Sequence, residues 1–163
     1  MRVLIGTDGS EDAIAAAVRA VELLARPAVV TIVSIVETPA LATAGLESGF
    51  AGGVADPAEV DAAWNAAHAG ATADLERTAA AVTASLGPDA EVTVEARIEM
   101  GTPGPDLCRV AGELAADVVA VGSRGQGALR RALLGSVSSH VIHHAPCSVI
   151  VTRAGTDGPL PNQ

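Results

Sequence analysis

Five short apolar runs alternate along this chain with four segments of helical period, and that alternation restricts the fold more than any other feature. The runs are Val3-Leu4-Ile5, Val29 to Val36, Glu91 to Ile98, Asp117 to Gly122 and Cys147 to Thr152. Most are rich in β-branched residues, which suit a pleated surface. From Glu91 the pattern is alternating. Val92, Val94, Ala96 and Ile98 point one way and Glu91, Thr93, Glu95 and Arg97 the other, which predicts a half-buried strand. Asp117 to Gly122 is almost uninterrupted, as expected of a strand covered on both faces.

The intervening segments have the other period. Ile14, Val18, Val21 and Ala25 recur every three to four residues and predict the apolar face of a first helix, ended by Pro27. Asp56-Pro57 reads as an N-cap followed by a proline at the first helical position. That helix runs to Leu86, with Gly87-Pro88 as its stop, and Val60, Trp64, Ala67, Ala71, Leu75, Val82 and Leu86 form a core-facing stripe. Helices over Pro105 to Ala115 and Ser136 to His144 complete the set. Strict β-α alternation predicts an α/β doubly wound parallel sheet with helices on both faces and right-handed crossovers. The 163 residues suffice for one domain with a real core, spanning 1–153. Thr38 to Ala55, glycine- and alanine-rich without a period, reads as a mobile loop or lid. Residues 154–163 read as a frayed tail.

Charge and composition remove several function classes. The net charge is −9, and all ten basic residues are arginine. Without a basic patch to neutralise phosphates, duplex nucleic acid and anionic membranes are poor partners. One tryptophan, one phenylalanine and no tyrosine leave no stacking platform for single strands. No apolar run approaches the roughly 20 residues of a spanning helix, and the N-terminus lacks a signal-peptide pattern, so cytoplasmic residence is expected. Cys108 and Cys147 form no C-x-x-C pair; neither a zinc site nor a redox pair is indicated. His140 and His144, four apart on one helix, could share a metal but have no third ligand nearby in sequence. No nucleophile–base set stands out, so no catalytic residue is assigned.

Two glycine-rich segments carry the chemistry. Gly6-Thr7-Asp8-Gly9-Ser10 follows the first strand. Gly122-Ser123-Arg124-Gly125 follows the fourth, and after nine residues comes Gly135-Ser136 at a helix start. Glycine lets the backbone approach a phosphate, and a helix N-terminus offers free N–H groups to an anion. Hydroxyls at Ser136 and Ser138 would add donors. Without lysine no P-loop can form, and GTDGSE after the first strand is no dinucleotide fingerprint. Asp8 serves either as a ligand or as a helix cap; Ser10 is the better cap. Arg124 either touches phosphate or faces solvent, and Arg130 and Arg131 read as a solvated pair.

The spacing of Gly122, Gly125, Gly135 and Ser136 resembles the ATP-binding signature of universal stress proteins. VLIGTDGSEDA resembles the opening of that family, and GSVSSHVIHHAPCSVIV its closing helix and strand. The resemblance implies a five-stranded sheet of order 3-2-1-4-5, with strands one and four flanking the switch point. It implies ATP, with magnesium, held by Gly6, Thr7, Asp8, Ile35, Gly122, Arg124, Gly125, Gly127, Gly135, Ser136, Val137 and Ser138. Asp8 would serve the adenine or ribose side, Ile35 the base, and the segment from Gly122 to Ser138 the ribose and phosphates, largely through backbone N–H. It further implies a homodimer paired through Cys147 to Thr152, and a stress-response regulator acting by occupancy. A slow ATP hydrolase, or an interaction dimer with an empty site, are the other readings.

Overall fold

The computed structural model describes residues 1–24, 28–37, 56–125 and 134–153. Ala25, Pro27, the loop at 38–55, Gly127, Arg130, Arg131 and the tail from 154 lie outside the described residues. Nine elements follow in strict alternation: β1 (Arg2–Gly6), α1 (Glu11–Leu23), β2 (Val29–Val36), α2 (Pro57–Leu86), β3 (Thr93–Met100), α3 (Pro103–Glu113), β4 (Val118–Gly122), α4 (Ser136–His144) and β5 (Ser148–Thr152). The sheet has the expected order β3-β2-β1-β4-β5 and every pairing is parallel. β1 is central, flanked by β2 and β4, so the strand order reverses there.

Strand alternation divides the core in two. Val3, Ile5, Val30, Ile32 and Ala120 face α1 and α2, meeting Ala17, Ala20, Val21, Leu75 and Val82. Leu4, Val33, Val119 and Val121 face the other way, onto Leu107, Val110 and Ala111 of α3 and Val141 of α4. A strand filled on both faces reads as nearly continuous apolar sequence, as β1 and β4 do, and as β2 does apart from the buried Thr31 and Ser34.

The first helix is rotated from the face its large residues predict. Ala13, Ala16, Ala17, Ala20 and Val21 are buried, while Ile14 and Val18 are only half-buried. Alanine lets α1 come so near the sheet that Thr152 Oγ1 donates to the Ala16 carbonyl at 3.0 Å. The bulkier pair is thereby left at the rim. α3 starts two residues earlier than expected, with Thr102 at the N-cap, Pro103 at N1 and the Thr102 N–H held by Asp106 at 2.7 Å.

α2 is capped by Asp56, which accepts from the Ala58 N–H at 2.9 Å, and ends at Gly87 with φ +80°. Thirty residues of helix span about 45 Å, against about 27 Å for an eight-residue strand. The helix therefore outreaches the sheet. Ala71, Leu75, Thr78 and Val82 of its second half are buried. Val60, Trp64 and Ala67 of the first half, expected in the core, are only half-buried.

Candidate functional site

The turn after β1 is built by its own side chains. Thr7 N–H donates to the Val33 carbonyl at 3.0 Å, and Thr7 Oγ1 meets Thr78 Oγ1 at 3.2 Å and accepts from Gly9 N–H at 3.1 Å. Gly9 has φ +73°, a conformation that glycine adopts without steric cost. Ser10 caps α1, its Oγ accepting from Ala13 N–H at 3.1 Å. Asp8 is thus not the cap. Its Oδ1 accepts from Ser10 N–H at 3.1 Å and from Ser10 Oγ at 2.7 Å. Its Oδ2 lies against Gly125, where an added methyl would sit 2.6 Å away.

The segment after β4 is tied to the neighbouring strand and to α4. Ser123 N–H donates to the Thr152 carbonyl at 2.7 Å, and the Ser123 carbonyl accepts from Gly135 N–H at 2.8 Å. Ser138 Oγ also turns inward, to the Ser123 carbonyl at 3.2 Å and the Gly135 carbonyl at 3.0 Å. Its hydroxyl therefore anchors the loop, while Ser138 itself also lines the cavity at the strand ends. Gly135 is the N-cap of α4 and supplies no capping side chain. Among the described residues no side chain caps the first-turn amides of α4, an arrangement that suits an outside acceptor.

Between these segments lies a cavity of about 620 Å³ at the carboxyl ends of β1, β2 and β4, walled by α2 on one side and the start of α4 on the other. The β2 end is largely apolar, lined by Val33, Ile35, Val36, Pro103 and Leu107, with Ser34 and Glu37 beside them. Asp8, Glu37 and Asp74 bring carboxylates, and Arg124 is the one cation on the wall among the described residues. Arg124 Nη2 stands 3.8 Å from Asp12, an exposed and weak pairing.

The structure brings most of the sequence-derived residues to this wall: Thr7, Asp8 and Ile35 on one side, and Gly122, Arg124, Gly125 and Gly135 through Ser138 on the other. Gly6 does not line it. Its Cα faces α3, where an added methyl would lie 2.7 Å from Leu107 Cδ2, so its smallness serves packing. The sequence reading missed Ala67, Gly70, Ala71 and Asp74, four successive positions on one α2 face that also line the cavity. A glycine and two alanines ahead of an aspartate within an otherwise core-like stripe were the available signal.

The remaining candidates lie elsewhere. The His140 and His144 rings stack at 4.2 Å, and among the described residues no third metal-ligating side chain joins them. Cys108 and Cys147 pack beside the α3–α4 core, and burial pushes both thiols up from the usual range, which favours the protonated form.

A family model described as the universal stress protein family matches residues 1–153. Universal stress protein Rv2005c of Mycobacterium tuberculosis is 39% identical over 70 residues, which is 43% of this chain and 23% of that relative. The matched stretch is thus about a quarter of that protein's length. Among solved structures, hypothetical protein MJ0577 superposes with a TM-score of 0.73 at 20% identity, over 96% of this chain and 97% of that one. A universal stress protein crystallised in complex with cAMP has a TM-score of 0.63 at 25% identity, over 95% and 98% of the two chains. On the family match over residues 1–153, the chain belongs to the universal stress protein family.

Proposed function

We propose that this chain binds ATP in the cavity at the β1–β4 crossover and works as a regulatory protein through occupancy. The uncapped first turn of α4 beside the Gly122–Gly125 segment carries the reading. Backbone amides and a helix dipole converge there on a space of a size that small-molecule sites have, roughly 300–1,000 Å³. In this reading Gly122, Arg124, Gly125 and residues 135–138 surround the phosphates. Asp8 and Thr7 serve the sugar side, and Ile35 lies under the base. The cAMP complex of a relative supports an adenine nucleotide as the class of ligand. Magnesium would enter with the nucleotide, coordinated chiefly by phosphate oxygens and water.

The same reading places the protein in the cytoplasm, where ATP is abundant, and pairs two copies through β5. That strand is an edge of the sheet and its Val149, Ile150 and Val151 are only half-buried, as a strand awaiting a neighbour would be. Among the described residues no helix is long and apolar enough to cross a membrane.

Calorimetric titration with magnesium-ATP tests the core of the proposal. Saturable one-site binding is expected, with nucleotide found by mass spectrometry in gently purified protein. Absence of binding at millimolar ATP overturns it. Multiple-turnover phosphate release would instead identify a hydrolase.

A further inference from the structure

Asp74 is a carboxylate in the cavity wall that neither glycine segment accounts for. It projects from α2, and its side chain presses on the Cα of Gly9, immediately after Asp8. Arg77 holds it there: one guanidinium nitrogen donates to Asp74 Oδ1 at 2.6 Å and to the Gly9 carbonyl at 2.9 Å. Asp74 Oδ2 has no hydrogen-bond partner among the described residues. The side chain is 24% exposed and lines the cavity. One turn earlier, Ala67, Gly70 and Ala71 present almost no side chain, and a methyl added at Gly70 would touch nothing within 4 Å. The α2 wall is thus a shallow floor that ends at one aimed acceptor.

The position of that acceptor along the cavity decides what it meets. The β2 end is largely apolar, with Ser34 and Glu37 as polar neighbours that a base can pair with, and suits a base. The β4–α4 end offers amides and suits phosphate. Asp74 lies over the turn that follows β1, the strand between them. The middle of a nucleotide is its sugar, whose hydroxyls are donors. A carboxylate pinned through one oxygen and open at the other is a strong acceptor for such a group.

We infer that Asp74 accepts a hydrogen bond from a ribose hydroxyl, so that the site selects ribonucleotides over nucleotides lacking the 2′ and 3′ hydroxyls. The inference rests on the ATP-binding reading and adds to it a specificity-determining residue on α2. A site built to pair a hydroxyl leaves its own polar group unsatisfied when the hydroxyl is missing, and rejects the analogue.

Binding of ATP and of 2′,3′-dideoxy-ATP is measured by calorimetry for the unmodified chain, Asp74→Ala and Asp74→Asn, with a thermal melt of each. The unmodified chain is expected to prefer ATP by about tenfold or more. Asp74→Ala is expected to bind both with near-equal affinity, and Asp74→Asn, which retains an acceptor for Arg77, to lose most of the preference while melting like the parent. If neither nucleotide binds the unmodified chain, the ATP reading itself fails. If ATP binds but the preference is absent, or persists in both variants, the ATP reading stands and the role of Asp74 is overturned. A uniform loss for both nucleotides with the preference intact also overturns it, because a purely structural Asp74 would behave that way.

Discussion

The residue scale separates glycines that serve packing from those that serve the site. Gly122 stands in β4 under α1, where an added methyl would lie 3.6 Å from Ala16 Cβ and 3.1 Å from the Arg124 carbonyl. The branches of a valine there would run into α1, so Gly122→Val disturbs the core together with the site. Gly125 is the cleaner probe. Among the described residues an added methyl meets only the Asp8 carboxylate, at 2.6 Å from Oδ2, and the backbone φ is not in the left-handed region. Gly125→Ala should therefore leave the melting temperature within about 2 °C of the parent, as for a change of roughly 0.5 kcal/mol. It should weaken ATP binding by about tenfold or more by displacing Asp8. Titration calorimetry with a melt of the same sample checks both; undiminished affinity would show that Asp8 and Gly125 do not frame the ligand. Asp8 and Gly125 were legible in the sequence because glycine spacing is a local signal. Asp74 was not: Ala67, Gly70 and Ala71 hint at a shallow helix face, but they do not tell whether the aspartate that follows meets a distant turn or solvent.

At the scale of elements, the α3 side of the β3 edge is closed by charge where the other strands use apolar cover. Arg97 pairs with Glu99 within the strand. Arg109 of α3 reaches Glu99 at 3.0 Å, Asp106 at 2.9 Å and Glu113 at 2.6 Å. Such a network blunts an edge strand against pairing with other chains. The Arg109 hydrogen bond, followed by that of Arg97, holds the Glu99 carboxyl below the usual glutamate range. A depressed carboxylate pKa favours the folded state above the unfolded value of about 4.3. That contribution is lost as pH falls through the lower, folded value. Glu99→Gln should thus cost about 1 kcal/mol near pH 7, and the difference from the parent should vanish in the acid limb. Urea denaturation at a series of pH values measures this; a pH-independent difference would mean that the charge of Glu99 does not matter. The element order was legible because period 2 and period 3.6 are distinct in β3 and α2. The α1 face was not, because ranking Ile14 and Val18 above alanine ignores how near a helix of small residues can approach a sheet. The overhang of α2 was equally hidden: a periodic stripe gives a helix's apolar face, while the length of the sheet beneath it decides how much of that face is buried.

The whole molecule gathers its cavity from both layers. α2 contributes from one face of the sheet, Leu107 of α3 and the start of α4 from the other, and the ends of β1, β2 and β4 from between. No single element can hold a ligand there, so a bound nucleotide belongs to the assembled fold and not to any unfolded fragment of it. Ligand that binds only the native state stabilises it by RT ln(1 + [L]/Kd), about 2.7 kcal/mol at a hundredfold excess over Kd. A kilocalorie moves the melting temperature of a domain this size by roughly 2–4 °C. Magnesium-ATP at a hundred times its Kd should therefore raise the melting temperature by about 5–10 °C. Each further decade of ATP should add a similar, smaller step of about 1.4 kcal/mol without reaching a plateau. The form of the response matters more than its size. A nonspecific salt effect would be reproduced by sodium sulfate at matched ionic strength and would be the same for Gly125→Ala. Linkage through the cavity requires that Gly125→Ala shift the whole ATP response to higher concentration by the same factor as its calorimetric Kd. Agreement of those two factors ties the stability of the entire fold to one crossover in its sheet, and disagreement would place the stabilising nucleotide somewhere else on the molecule.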